Sequence, residues 1–392
     1  MKRHLLPLLL TVLLLGSSGC GMQTELPTAE EETFAVLTDP PTEPPATEPP
    51  PITEEPTTEP VLVRVEDPAE TPHIFFHSLI YDPDLAFDND GEDDGYNIYM
   101  TTVQEFRTIL DQLYENDYVL VRQHDIATET EDGFVPGDIY LPEGKKPVII
   151  SQDDVNYYNY MTGDGFATRL VVRNGKVVCE YTDKGKTMTG AYDLVPILDE
   201  FVEAHPDFSY NGAKAVIAVT GYEGVFGYRA VDNPDSPDFE KECKEASAVA
   251  DALRNSGYEI ASHSYGHINF TKSSYSTIEY DTNRWEERIG SVVGGSDILI
   301  YPYGADITSN IYHDAYEDTE KFRLLYNHGF RYFLNVDNTQ DAWVQLNTRY
   351  VRQARRNLDG FRLYYYPEKM KDLMRHPEAV LDDHRPQPVP KI

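Results

Sequence analysis

The sequence is poor in positive charge and in cysteine. Its 392 residues contain 33 Lys and Arg against 67 Asp and Glu, a formal net charge of −34. Nucleic acids are bound through clustered basic side chains, so this balance argues against a nucleic acid partner. Three cysteines are too few for a disulfide-stabilised scaffold, and whether Cys179 and Cys243 pair is left open.

The main apolar run lies at the N-terminus, from Leu5 to Leu15, after Lys2 and Arg3. It is too short to span a bilayer comfortably, and its charged start and small-residue end are typical of a secretion signal. Small residues before Cys20 resemble a bacterial lipoprotein signal. We therefore expect a signal peptide over 1–20, lipidation of Cys20 and anchoring at the outer face of the cell membrane. An ordinary signal peptide, giving a cell-wall or secreted protein, is the alternative.

Residues 21–60 contain no Lys, Arg, Tyr or Trp and are dominated by Thr, Glu and Pro. Such a segment has little to bury, and proline together with like charge extends it. The composition predicts a disordered tether. Residues 61–392 remain, which is enough for one large catalytic domain.

Short apolar runs alternate with helical patterns in 61–392. This alternation predicts a parallel sheet or a (β/α) barrel whose functional residues follow the carboxyl ends of the strands. Residues 169–181 interrupt it with two alternating arms around Asn174–Gly175, a strong hairpin signal. We expect this hairpin either to rim the site or to be a structural flap. Strands are predicted at 73–80, 146–154, 213–221, 258–264, 297–304 and 331–338, and helices at 101–118, 191–206 and 240–257.

Two carboxylates and two histidines follow predicted strands. His263 and His267 are four positions apart, the spacing that brings two side chains together on a helical turn. Asp153 and Asp154 end a buried strand, where adjacent side chains point in different directions. Two imidazoles and one carboxylate are typical of a catalytic zinc site, and the second carboxylate could accept a proton. Two surface histidines without a metal are the alternative.

The chain resembles the polysaccharide deacetylases, also called carbohydrate esterase family 4 or the NodB homology domain. The resemblance lies in three motifs that occur in the same order: a strand that ends in Asp-Asp, then HSYGH, then a YPYG loop. The similarity is to a divergent extracellular member of Gram-positive type and covers roughly residues 70–335. It implies an α/β fold, a distorted (β/α) barrel of about seven strands. It also implies removal of N-acetyl groups from amino sugars of a cell-envelope polysaccharide or peptidoglycan with one divalent metal ion, commonly zinc. No protein partner is implied.

The resemblance also implies roles for individual residues. Asp153 matches the catalytic base, and Asp154, His263 and His267 match the metal ligands. Tyr303 lies on the loop whose backbone N–H binds the oxyanion.

Aromatic faces can stack on sugar rings. On this basis four side chains are candidates for substrate binding, with simple packing as the alternative: Tyr157, Tyr158, Tyr301 and Trp343.

The chain departs from the family at the residue that orients the base. Ile300 stands where the family often has an arginine, and Gln152, just before the two carboxylates, stands where the family has an aromatic residue. Arg352 is the candidate replacement, with Arg355 and Arg356 as further possibilities. A solvated basic face over 349–356 is the alternative.

The family's late histidine, the general acid, is not evident, because Tyr365 stands where it would be needed. His77 on the first strand and Asp341 are candidates for supporting the site, although His77 could equally be a core histidine. Two other functions therefore stay open: a glycan-binding domain on the same barrel, and an amide or ester hydrolase with a substrate that is not a sugar.

Overall fold

The structure, a computed structural model, describes residues 60–89, 91–308 and 315–392. The predicted signal peptide, the lipidated Cys20 and all but the last residue of the predicted tether lie outside these residues and stay predictions. In the described ranges, no helix has both the length and the apolar character needed to cross a membrane.

The described strands, in chain order, are β1 (Leu62–Arg64), β2 (His73–Phe76), β3 (Tyr118–Leu120), β4 (Ala127–Thr130), β5 (Gly133–Pro136), β6 (Tyr140–Pro142), β7 (Lys146–Gln152), β8 (Arg169–Arg173), β9 (Lys176–Asp183), β10 (Lys186–Gly190), β11 (Val216–Val219), β12 (Glu259–Ser262), β13 (Ile298–Ile300), β14 (Tyr332–Val336), β15 (Val344–Leu346) and β16 (Val351–Asn357).

The α-helices of the described ranges are α1 (Pro83–Ala86), α2 (Asp93–Tyr99), α3 (Val103–Glu115), α4 (Leu194–Ala204), α5 (Phe239–Asn255), α6 (Tyr275–Trp285), α7 (Ser291–Val293), α8 (Glu320–Asn327) and α9 (Gly360–Tyr365). A π-helical turn, Glu286–Gly290, joins α6 to α7.

Seven parallel strands close into a barrel in the order β2, β7, β11, β12, β13, β14, β16 and back to β2. Two further strands pair with strands of the ring: β3 pairs in parallel with β7, and β15 pairs antiparallel with β16. The predicted (β/α) barrel is therefore confirmed. Closure brings the carboxyl ends of all seven strands to one rim, where polar residues from distant parts of the sequence can meet.

The helices pack on the outer face of the barrel through apolar stripes. In α3, Phe106, Ile109 and Leu110 are fully buried. Thr102 caps its first turn, since its hydroxyl accepts from the Glu105 N–H while the Glu105 carboxylate accepts from the Thr102 N–H. This capping box satisfies backbone donors that would otherwise lack partners, so the helix begins where the apolar periodicity begins.

The seventh strand, β16, was not predicted as a strand. Its sequence, VRQARRN, is mostly polar, yet six of its seven residues are buried. Alternate side chains of a barrel strand point into the interior, and here those side chains are ion-paired or hydrogen-bonded. The alternative of a solvated basic face over 349–356 is therefore wrong for Arg352, Arg355 and Arg356, which are all buried.

The predicted hairpin is present as β8 and β9, with Asn174 and Gly175 at positive φ in the turn. It packs against α4 and α5 on the outside of the barrel. The residues lining the cleft described below come from other segments. Of the two alternatives, the hairpin is therefore the structural flap and does not rim the site. Cys179 in β9 and Cys243 in α5 are both free thiols.

At the amino end of the barrel, His124 lies between two carboxylates. Its Nδ1 contacts Glu259 at the start of β12, and its Nε2 is 3.0 Å from Asp297 Oδ2, just before β13. The ring also meets Tyr332 edge-on, with 4.5 Å between centroids. His124 therefore links the segment after β3 to two neighbouring barrel strands.

Stability at alkaline pH should depend on His124. Burial alone would lower the pKa of His124, but the hydrogen bonds and charges of Asp297 and Glu259 raise it to about 10, above the ordinary histidine value of 6.5. This contribution to stability is complete below the unfolded pKa and is lost as the pH rises through about 10. Urea unfolding of the wild type and of His124→Gln at neutral and alkaline pH should give a stability difference that shrinks with rising pH. A difference that stays constant would contradict this interpretation.

Candidate active site

A cleft of about 490 Å³ opens at the carboxyl rim of the barrel. Several of the predicted site residues line it: His77, Asp153, Asp154, His263, His267 and Tyr303. They come from the segments that follow β2, β7, β12 and β13. This placement agrees with the expectation that function in a parallel barrel resides where the strands end.

Three of these residues form a candidate metal site. Asp154 Oδ2 is 3.7 Å from His267 Nε2 and 4.0 Å from His263 Nε2. One ligand atom from each residue lies within 4.8 Å of the others. Ligand bonds of about 2 Å could therefore converge on one small cation.

The two histidines do not lie on a helical turn, as their spacing suggested. His263 directly follows β12, and the chain then turns through left-handed conformations, with φ of 59° at Ser264 and 49° at His267. This turn folds His267 back beside His263, with 5.0 Å between ring centroids. Asp154 is also left-handed, with φ of 58°, so both carboxylates after β7 reach the rim.

Neighbouring groups orient the three candidate ligands. The Ile300 carbonyl can only accept, so His263 Nδ1–H donates to it at 2.9 Å and leaves Nε2 free for a metal. The Tyr158 hydroxyl donates to Asp154 Oδ1 at 2.7 Å, while Oδ2 faces the histidines. Such partners hold a ligand's lone pair towards the ion. Two imidazoles and one carboxylate fit a divalent cation such as zinc.

The protonation states also suit metal binding. Burial lowers the pKa of His267 to about 4, so the ring is neutral at physiological pH. Burial alone would raise the pKa of Asp154, but His267 and His263 outweigh it and the pKa is lowered. Neutral imidazole and ionised carboxylate are the forms that bind metal.

Asp153 has a different environment, because it forms an ion pair with Arg355 in β16. Arg355 Nη1 and Nη2 donate to the two oxygens of Asp153 at 2.7 and 2.8 Å. Both side chains are buried, and the guanidinium lies over the Phe75 ring at 4.2 Å. Burial alone would raise the pKa of Asp153, but Arg355 and His263 lower it to about 2.

Arg355, rather than Arg352, therefore stands where an arginine is needed beside Asp153. Arg352 pairs instead with Asp306, with Nη2 2.7 Å from Oδ2. Arg356 pairs with Asp372 at 2.6 Å. The three arginines were not separable in the sequence because β16 was not predicted as a strand. Strand alternation places Arg355 on the face opposite to that of Arg352 and Arg356.

His77 belongs to the cleft. Its Nδ1–H donates to the Tyr99 carbonyl at 3.2 Å, and the ring is half-buried. Tyr303 projects from the same rim with 70% of its surface exposed, and its ring is 4.5 Å from that of His267. Its backbone is left-handed, with φ of 59°.

Two of the four aromatic candidates for substrate binding are buried in the core. Tyr157 donates its hydroxyl to Asp193 at 2.7 Å, and Tyr301 bonds to the Tyr316 hydroxyl at 2.7 Å. Neither ring is exposed enough to meet a sugar. The sequence does not show this distinction, because a tyrosine that follows a strand can point into the core or towards the cleft.

The other two candidates also have structural contacts. Tyr158 is buried and holds Asp154, and Trp343 Nε1 donates to Asp337 at 2.8 Å. The exposed ring in this region is Tyr160, which lines the cleft and stacks on Tyr158 with 5.8 Å between centroids.

Asp341 lies beside the cleft rather than in it. Its side chain is 74% exposed and is 3.5 Å from Arg356. Tyr365, in the place of the missing late histidine, donates its hydroxyl to the Val389 carbonyl.

A buried hydrogen-bond network around Asp193, which was not predicted, supports the segments that carry the site. Asp193 accepts hydrogen bonds from the Leu79 N–H, from Gln152 Nε2 and from the Tyr157 hydroxyl, at 2.7 to 2.9 Å. It thereby ties the segment after β2 to the segment after β7. Gln152, which departs from the family motif, has its partner here.

Comparison with known proteins gives a match over part of the chain. Residues 211–321 match the family model described as polysaccharide deacetylase. This match supports the polysaccharide deacetylase family and, with it, a deacetylase activity. The matched segment contains His263, His267 and Tyr303, whereas Asp153 and Asp154 precede it.

Two solved structures are similar to this chain at low sequence identity. The Streptococcus pyogenes deacetylase PplD, solved in complex with acetate, is 12% identical over 81% of this chain and 99% of that chain, with a TM-score of 0.41. A Mycobacterium smegmatis protein assigned as a polysaccharide deacetylase is 16% identical over 37% of this chain and 40% of that chain, with a TM-score of 0.23. A search of curated proteins gives no match.

Metal binding should depend on the three candidate ligands and on Tyr158. We expect Asp154→Ala and His263→Ala to weaken zinc binding by more than about 100-fold, and Tyr158→Phe by roughly 10- to 100-fold through loss of the bond to Asp154. Calorimetry with zinc, together with metal analysis of the purified protein, would measure this. His376→Ala is the matched control, because that histidine is exposed and lies outside the cleft. Equal affinity in all four variants would exclude the site.

Proposed function

We propose that the protein is a metal-dependent hydrolase that removes N-acetyl groups from amino sugars of a cell-envelope polysaccharide or peptidoglycan. The observation that carries this proposal is the pairing, in one cleft, of a His-His-Asp ligand set with a second carboxylate held by its own arginine. A protein that only binds glycan has no need of that second carboxylate. The family assignment supports the same reaction class.

Asp154, His263 and His267 would hold the metal ion. When bound, a divalent cation there would polarise the acetyl carbonyl and lower the pKa of water from 15.7 to near 7. The protein's own contribution is to keep these ligands in their binding protonation states and to leave coordination positions open to the cleft.

Asp153 is the proton acceptor in this proposal. Its Oδ2 is 4.0 Å from His263 Nε2, so it lies beside the ligand set. With a pKa of about 2 it is ionised throughout the neutral range. Because such a carboxylate is a weak base, it can take a proton only from water that has been acidified. Arg355 fixes its two oxygens, so the acceptor does not have to be oriented during the reaction.

Residues at the rim of the cleft would bind the oxyanion, stack on the sugar and protonate the leaving amine. The exposed loop at Tyr303 would present its backbone N–H to the developing oxyanion. The Tyr160 ring would stack on a sugar face. His77, as the imidazolium, would donate its Nε2 proton to the leaving amine, since Nδ1–H is used by the Tyr99 carbonyl and Nε2 is available to the cleft.

Asp153→Asn should abolish most of the acetate release while leaving the metal site filled. An amide cannot accept the proton, and loss of an acid–base group typically costs roughly 10²- to 10⁴-fold in rate. The assay is acetate release from chitin oligomers and from peptidoglycan, with metal content measured on the same samples.

Asp251→Asn is the matched control for that experiment, because Asp251 is an exposed carboxylate on the outer helix α5 and lies outside the cleft. Breaking a buried ion pair can cost about 3–5 kcal/mol, so retained metal also serves as the test that Asp153→Asn is folded. Undiminished acetate release by a folded, metal-loaded Asp153→Asn protein would refute the proposed base.

His77→Gln should be selective for substrates with a poor leaving group. We expect kcat on chitin oligomers to fall by roughly 10²-fold or more, because the free amine leaves poorly without a proton. Hydrolysis of 4-nitrophenyl acetate, whose leaving group needs no proton, should change far less. Equal losses on both substrates would assign His77 a structural role.

A further inference from the structure

A second, smaller pocket opens beside the cleft. It has a volume of about 40 Å³ and shares Asn338, Asn357 and Arg362 with the cleft lining. A single water needs about 10–15 Å³ measured in this way, so the pocket accommodates a few waters or one small group, not a sugar ring. It is therefore an extension of the surface that a bound glycan would cover.

The lining of this pocket is cationic, in contrast to the chain as a whole. Arg356, Arg362 and Lys369 line it, against the single acidic side chain Asp341. The chain carries a net charge of −34, so three basic side chains around one small pocket are a local reversal of sign. Such a reversal attracts an anionic group to this place and not to the surrounding surface.

Two of the three cations have no carboxylate partner among residues 60–89, 91–308 and 315–392. Arg356 is neutralised by Asp372, with Nη2 2.6 Å from Oδ2. For Arg362 and Lys369, no carboxylate in the described part of the chain lies within 4.0 Å of the charged nitrogens. Asp341, the acidic residue of the lining, is 3.5 Å from Arg356 and mostly exposed.

Arg362 keeps its guanidinium available although it is close to Asp359. The Asp359 carboxylate accepts the backbone N–H of Arg362 at 2.9 Å and the side-chain amide of Asn357, and so caps α9. The guanidinium itself lies over the Tyr366 ring, 5.4 Å from its centroid. A cation stacked on an aromatic ring is held in place without losing its charge.

We propose that this pocket binds a carboxylate or phosphodiester group carried by the glycan, and that the substrate is therefore an anionic polysaccharide. This inference rests on the proposed function and specifies its substrate class. A guanidinium matches the oxygens of either anion, and Lys369 adds a second positive charge. The shared lining places the anion next to the sugar that enters the cleft.

The test compares three soluble polymers with the same backbone: neutral glycol chitin, carboxymethyl chitin and phosphorylated chitin. For the wild type we expect kcat/KM to be about tenfold higher on at least one charged polymer than on the neutral one. The polymer that is preferred distinguishes a carboxylate from a phosphate. The preference should shrink as salt is added, because the attraction is between charges near solvent.

Arg362→Gln and Lys369→Gln should each lower the ratio of kcat/KM on the charged polymer to that on the neutral polymer. Lys371→Gln is the matched control, because Lys371 is a nearby exposed lysine outside the lining. An equal kcat/KM on all three polymers, or a ratio that the two variants leave unchanged, would overturn the inference.

Failure of the proposed function can be told apart from failure of this inference. If no polymer releases acetate, the deacetylase proposal fails, and binding of the wild type and both variants to the same polymers still tests the pocket. Tighter binding to a charged polymer that is lost in both variants would support the anion site. Equal binding to charged and neutral polymers would overturn it.

Discussion

The ion pair between Asp153 and Arg355 is the interaction on which the candidate site depends. It is buried and bidentate, and it joins the end of β7 to the end of β16. Removing one partner of such a pair leaves an uncompensated charge, which typically costs about 3–5 kcal/mol. The same contact keeps Asp153 ionised and directs it towards the ligand set. Stability and the proposed chemistry therefore rest on one contact.

A polar network inside the barrel accommodates the charge of Arg355. Its Nη1 donates to Ser151 Oγ at 3.1 Å, and Ser151 in turn is 2.9 Å from His73 Nε2. Burial, with Arg355 as the second cause, lowers the pKa of His73 to about 3. The neighbouring histidine is thus neutral, so the interior holds one ion pair and neutral hydrogen-bonding groups. A protonated His73 would repel the guanidinium of Arg355 and compete with it for Asp153.

The departures from the family motif have physical explanations in this arrangement. Ile300 replaces the usual arginine, and the guanidinium is supplied from β16, two strands further round the barrel. Gln152 replaces an aromatic residue and bonds to Asp193. Arg355 weakens the case for a glycan-binding domain without catalysis, which rested partly on the missing arginine. His77 at the cleft weakens it further, because the absent late histidine was the other reason.

The sequence alone predicted the alternation of strands and helices and, through its resemblance to a family, the barrel and the four residues Asp153, Asp154, His263 and His267, because apolar periodicity and short motifs are local signals. Only the tertiary structure decided which arginine meets Asp153 and which tyrosines face the cleft. Those outcomes depend on which strands pair and on the direction of a side chain after a strand. The local sequence determines neither. The cationic pocket beside the cleft likewise exists only because the segments at 338–341 and 356–370 meet in space.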